Sequence, residues 1–358
     1  MNICFILPSL AKKGPNIVAY DLISFGVEND LFDKVSVYFF NDYNGTCLDF
    51  QSLKNVRLCK IDLFSKVDLS AFDIVHSHML KPDLFVFLFR VRSLPFCNQR
   101  KCKSVTTLHQ KDYVNLKYDF NSKIKACFVS IFWRIILIAQ TKIVCLSQSM
   151  LFYYKNKIMN QSLTFIYNGR GRASRRENKC LYSNHFNLGT SCLLTKRKGI
   201  EQVIKALPYL PFVTFQIAGS GPELENLKKL ARDLNVGNQV EFLGFVEDTS
   251  LFLHHLDAFV LPSRGEGFPL ALIEAASHGL PIVASNIDVV LEAFNDDEIA
   301  IFELDSIDSL LVAINKVYKN RDLYSQKIYK IYEREFTQKA MFEKYYAIYM
   351  EVSGLSAK

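Results

Sequence analysis

The stretch SRGEGFPLALIEAASHGLPIVAS, residues 263–285, decides how this chain is read. It follows DAFVLP at 257–262, an apolar run that reads as a buried strand ending in proline. Its first residues therefore fall at the carboxyl end of a strand, where α/β proteins place their ligands. Gly265 and Gly267 let the backbone approach a ligand closely, and amides at the start of the next helix suit phosphate. Glu266 lies in the loop and Glu274 about a turn into the helix, so both carboxylates can face one bound molecule. A carboxylate accepts hydrogen bonds from paired sugar hydroxyls, on a ribose or on a hexose. On spacing alone, an ordinary loop and helix with two solvated glutamates explains the pair at least as well.

Outward from this stretch, short apolar runs alternate with amphipathic ones almost from end to end. Strands are expected at 2–7, 34–40, 72–76, 104–108, 142–146 and 164–167, with helices at 14–28, 83–92, 121–139 and 148–157. This βαβα rhythm implies a parallel sheet covered on both faces. It breaks at NGRGRASRRENKCLYSNHFNL, residues 168–188, which is polar, basic and punctuated. A second series follows, with strands at 189–195, 212–218, 239–243, 258–261, 281–284 and 299–302 and helices at 199–207, 223–234, 270–278 and 307–319. The expectation is two doubly wound domains, 1–168 and 189–336, joined by a linker at 169–188, with the ligand cleft between them. A last helix within 337–358, rich in Phe, Tyr and Met, is expected to pack back across the domain joint.

Composition excludes several classes. At 358 residues and 49% hydrophobic, the chain can bury two cores and is not disordered. Nine cysteines lie scattered without CxxC pairs, which argues for free thiols in a reducing cytoplasm rather than disulfides or zinc. The N-terminus MNICFILPSL has no basic region before its apolar run and reads as a first strand rather than a signal peptide. No stretch reaches the roughly 18–20 uninterrupted apolar residues of a spanning helix. The net charge of +7 is uneven: residues 81–180 carry nineteen Lys and Arg against four Asp and Glu, and the remainder is net −8. A basic half of that size faces something anionic or serves as a solvated face. No helix-turn-helix, zinc or RNA-binding motif accompanies it, so nucleic acid is set aside.

Several separate segments then point one way. The string EGFPLALIEAASHGLPIVAS closely resembles the donor-binding signature of the retaining glycosyltransferases of family 4, which have the GT-B fold. AKKGPNIVAYDL resembles that family's glycine turn after the first strand, and DIVHSH and VTTLHQ resemble two later strands of its first domain. IYNG, TKRKGIEQVIKAL, VTFQIAGSGPE and VEFLGFV follow in the family's order. The resemblance implies an α/β chain of the GT-B type, two Rossmann-like domains facing each other across a cleft. It implies a retaining, metal-independent enzyme that uses a nucleotide-sugar donor and no cofactor. It assigns Lys198 to the donor diphosphate, with Arg197 beside it, and Glu274 to the nucleotide ribose. Glu266, with the amides of Gly267 and Phe268, would meet the donor sugar and phosphates. Gly14 would let the first loop approach the diphosphate, and His109 would hydrogen-bond the transferred sugar. His76 and His78 read as structural, although His78 could line the cleft, and Lys196 and Arg197 by default form a solvated basic turn.

Three departures stand against the family pattern. Leu193 occupies the place of an arginine that pairs with the lysine matching Lys198. SNIDVVLEAF has no glycine where the family has a glycine-rich turn, and Lys13 replaces one glycine of the first loop. They leave open a degenerate, non-catalytic nucleotide-sugar-binding protein, and the fold class also admits a sugar-nucleotide epimerase. The acceptor is expected to be a lipid-linked or soluble glycan. SKIKACFVSIFWRIILIA, residues 122–139, could form a helix with Phe128, Phe132, Ile135 and Ile136 on one side and Lys123 and Lys125 near its start. That pattern suits an anionic inner leaflet, or else the buried face of a domain helix. The enzyme is thus expected in the cytoplasm, peripheral on the membrane's inner face, in assembly of O-antigen, capsule or another surface polysaccharide.

Overall fold

Strands that are apolar on both faces dictate sheets covered from two sides. The computed structural model describes residues 1–42, 45–93, 102–120, 122–160, 162–173 and 185–355. Its chain divides into two compact units, one of Met1–Gly169 with Gln338–Lys358 and one of Arg170–Thr337.

The first unit runs β1 (Asn2–Ser9), α1 (Gly14–Glu28), β2 (Lys34–Asn41), β3 (Val56–Lys60), β4 (Ile74–His78) and α2 (Leu80–Ser93). It continues with β5 (Ser104–Leu108), α3 (Asp112–Asp119), α4 (Lys123–Leu137), β6 (Lys142–Cys145), α5 (Gln148–Lys155) and β7 (Leu163–Phe165). The strands form one parallel sheet in the order β3-β2-β1-β4-β5-β6-β7. Ile3 to Leu7 of β1 are fully buried because β1 lies inside the sheet with helices above and below.

The second unit runs β8 (Phe186–Ser191), α6 (Ile200–Ala206), β9 (Val213–Ala218), α7 (Leu224–Asp233), β10 (Val240–Gly244) and α8 (Thr249–His255). Then come β11 (Ala258–Leu261), α9 (Leu270–Ser277), β12 (Ile282–Ser285), α10 (Asp288–Ala293), β13 (Ala300–Phe302), α11 (Ile307–Lys319) and α12 (Arg321–Glu335). Its parallel sheet is ordered β10-β9-β8-β11-β12-β13. The last helix, α13 (Gln338–Ser353), returns to the first unit and packs on α1, with Phe342 against Phe25.

Strand order reverses between β1 and β4 in the first unit and between β8 and β11 in the second. In doubly wound sheets, ligands bind beyond the carboxyl ends of the strands at such a reversal.

The structure differs from the sequence reading in a few elements. β8 starts at Phe186, inside the expected linker, because Phe186 and Leu188 are fully buried core residues. Residues 174–184 of that linker lie outside the described residues. The short strand β3 and the whole of α12 were not expected. β3 shows little apolar alternation, and α12 buries tyrosines where aliphatic residues usually mark a helix.

Candidate functional site

In the second unit the chain leaves β8 and turns through a single 3-10 turn at Lys196–Lys198. Gly199 follows in the left-handed region, at φ +63, and a Cβ there would meet the Pro262 carbonyl oxygen at 2.0 Å. Only glycine lets the turn come this close to the end of β11. The Arg264 amide donates to the Arg197 carbonyl at 2.8 Å, and Gln202 Nε2 donates to the Pro262 carbonyl at 2.8 Å. The loops after β8 and β11 are thereby joined across the reversal point.

Glu266 sits at that junction with its side chain 8% exposed. Lys198 Nζ and the Ser263 hydroxyl donate to its Oε1 at 2.6 and 2.7 Å, and Arg197 donates to its Oε2 at 3.1 Å. Burial alone would raise this carboxyl, but the charges of Lys198 and then Arg197 outweigh it and hold the group at about 2. Glu266 is therefore ionised at any physiological pH. Of its roughly four acceptor positions three are taken within the protein. Its evident task is to fix two cations in place. Arg197 also donates to the Gly265 carbonyl at 2.7 Å, so it is no solvated basic turn, while its Nε is buried without a hydrogen-bond partner. Two cations against one carboxylate leave the cluster net positive, as a diphosphate requires.

Glu274, on α9, is ion-paired through Oε1 with Arg170 NH2 at 3.0 Å. The Arg170 backbone is pinned in turn: its amide donates to the Phe336 carbonyl and its carbonyl accepts from the Tyr332 hydroxyl. The carboxylate is thus oriented yet keeps acceptor positions for a diol. Sequence reasoning missed Arg170, since one more arginine in a basic, punctuated stretch carries no signal of its own. Gly267 is buried, and the Phe268 ring packs 5.4 Å from that of Phe336, so Phe268 has its backbone rather than its ring to offer a ligand.

Two of the departures impose no backbone strain. Lys13 caps α1 at φ −129, ψ 152, an extended conformation open to any residue, and Gly14 beside it is not left-handed. No residue of 285–294 has a positive φ, so SNIDVVLEAF needs no glycine. Leu193 is 62% exposed, so no closed pocket has formed around it. We expect Leu193→Arg to fold normally and to tighten binding of a diphosphate-bearing ligand by about one decade, the scale of a charge-assisted hydrogen bond. Calorimetric titration with thermal melting checks this, and a collapsed melting temperature would contradict it.

In the first unit, His76 and His78 leave β4 toward His109, just beyond β5. His78 Nδ1 and His109 Nε2 are 2.9 Å apart, and the His76 and His78 rings lie 4.3 Å apart. His76 is held by the Tyr349 hydroxyl at 2.7 Å and by Thr107 at 2.8 Å, and Thr107 meets the Tyr345 hydroxyl at 2.9 Å. Burial lowers His109 to about 3, and burial followed by its histidine neighbours lowers His78 well below the usual range. Both rings are neutral at pH 7. His78 Nε2 is buried without a partner. A bare lone pair there costs less than an orphaned N–H. The favoured tautomer of His78 therefore donates from Nδ1 to His109 Nε2, which puts the His109 proton on Nδ1. His109 is thereby set as a neutral donor, with His78 as its positioning partner. Among the described residues no cluster of His, Cys, Asp or Glu is disposed to hold a metal ion.

The family model described as glycosyl transferases group 1 matches residues 187–334. The O-antigen biosynthesis glycosyltransferase WclY of Escherichia coli is 31% identical over 360 residues, covering 98% of each chain. The chain belongs to the glycosyl transferases group 1 family. It is a glycosyltransferase. Its fold is GT-B: sucrose-phosphate synthase of Thermosynechococcus elongatus superposes with a TM-score of 0.80 at 15% identity, over 99% of this chain and 100% of that one. Anabaena HepE, solved in complex with UDP and glucose, superposes at 0.78 with 17% identity over 99% and 100%. In this group 1 chain the family signature lies where the second sheet's reversal point falls.

Proposed function

We propose that this enzyme is a retaining, metal-independent transferase that passes a sugar from a nucleotide diphosphate donor to a lipid-linked glycan in O-antigen or related surface-polysaccharide assembly. It works in the cytoplasm at the inner face of the membrane. The observation that carries the reading is the pair of cations, Lys198 and Arg197, fixed on buried Glu266 at the reversal point of the second sheet. That arrangement neutralises charge on a departing diphosphate without a metal. Glu274, oriented by Arg170, binds the ribose, and His109 donates to the transferred sugar. The relationship to WclY supports O-antigen synthesis, and the family resemblance supports retention.

A screen of UDP-, GDP- and ADP-sugars by thermal melting tests this. A ligand at a hundred times its dissociation constant stabilises by about 2.7 kcal/mol. One donor class should stabilise, and that donor with a lipid-linked acceptor should then release nucleotide. No stabilisation by any of them would sink the reading. Leu193 favours a second reading, a protein that binds donor without turnover, and stabilisation without nucleotide release would establish it.

A further inference from the structure

Helix α4 is apolar on two opposite sides. Its inner side carries Ala126, Ser130, Trp133, Ile136 and Leu137, all buried. Trp133 Nε1 donates to buried Asp83 at 2.8 Å, and Arg134 is drawn inward to form a bidentate pair with Asp112 at 2.7 and 2.8 Å. Its outer side carries Ile124, Phe128, Ile131, Phe132, Ile135 and, just past the end, Ile138, which are 47% to 72% exposed. The steps between 124, 128, 131, 135 and 138 alternate four and three, the spacing of one continuous stripe along a helix. With Arg134 turned inward, no charged residue interrupts that stripe.

A water-facing stripe of six large apolar residues calls for a partner, and the surrounding charges say which. Lys123 and Lys125 are exposed in the first turn of α4. Among the described residues 102–160 the acids are Asp112, which is buried in the Arg134 pair, and Asp119. A second copy of the chain would set these lysines against each other. A phospholipid surface of negative charge takes both features at once. The apolar stripe enters the acyl boundary, and each lysine near the headgroups strengthens partitioning by about fivefold.

We propose that the outer face of α4, with Lys123 and Lys125 in its first turn, is the docking surface that seats this chain on an anionic bilayer. It corrects the sequence expectation in one respect: Ile136 belongs to the buried side, and Ile124, Ile131 and Ile138 take its place outside. Its purpose rests on the lipid-linked acceptor proposed above. The binding itself involves neither donor nor acceptor, so the two readings can fail separately.

The test is co-sedimentation of the full chain with phosphatidylcholine vesicles, with or without about a third phosphatidylglycerol, at low and high salt. Wild-type protein should bind the anionic vesicles at least about tenfold better than the neutral ones, and high salt should weaken that binding. Phe128→Gln/Ile135→Gln should lower binding by about tenfold or more with an unchanged melting temperature, since both side chains are exposed. Lys123→Glu/Lys125→Glu should remove most of the salt-sensitive part. No binding to anionic vesicles would overturn the proposal, as would binding indifferent to either double variant. So would a wild-type dimer in vesicle-free buffer that Phe128→Gln/Ile135→Gln dissolves, because it would give the stripe to a second copy.

Discussion

Lys198→Ala should slow sugar transfer by about 10²–10³, with the loss in kcat rather than in KM. In the proposed mechanism the ammonium is worth most when negative charge gathers on the departing diphosphate, and less in the ground state. Its removal also cancels the net charge of the cluster. Glu266 would keep its ionised carboxylate beside Arg197 alone, so a net positive cluster becomes neutral. Lys198→Arg should recover part of the rate, since it keeps the charge but not the compact ammonium geometry. Steady-state kinetics on folded, purified variants decide the matter, and a wild-type rate in Lys198→Ala would remove this residue from the mechanism. The pairing should resist acid: Glu266 lies below its unfolded value, so its contribution to stability holds above that value and fades only as pH falls toward about 2.

Glu274→Ala should reduce sugar transfer by about two decades, mostly through weaker donor binding and with the fold intact. A carboxylate held by Arg170 offers a rigid pair of acceptors to a diol, and alanine leaves the diol's hydroxyls unmatched. Arg170→Ala should give a smaller loss, because it frees Glu274 to wander rather than removing it. The double variant should be no worse than Glu274→Ala alone if Arg170 acts through the carboxylate. A double-mutant cycle on donor affinity tests that, and additive losses would show that Arg170 touches the donor directly.

Much of this was legible before any coordinates. The DAFVLP run marks a strand and the GEGFPLALIEAA run a loop and a helix by apolar periodicity and glycine, and β11, Glu266 and α9 stand where those signals put them. Partnership was not legible. Nothing in sequence spacing says that Glu266 bonds to residues 68 and 69 positions earlier, or that Arg170 reaches Glu274. These pairs depend on which strands lie side by side, and β8 neighbours β11 only after two intervening strands have been placed elsewhere. The faces of α4 were misassigned at Ile136 for a related reason. When both sides of a helix are apolar, periodicity cannot tell core from surface, and it is Trp133 on Asp83 and Arg134 on Asp112 that fix the rotation.

The contact between His76 and Tyr349 spans 273 positions of chain, and it sets an order on how the protein is made. Residues 170–337 form one unbroken segment and can acquire their structure while the ribosome is still at work. The unit that holds His109 cannot, although its strands emerge first, because the hydroxyls that brace His76 and Thr107 arrive on the last helix. For most of synthesis the earliest strands must wait with that side unsealed. Truncation ahead of Tyr345 would therefore damage the beginning of the molecule rather than its end.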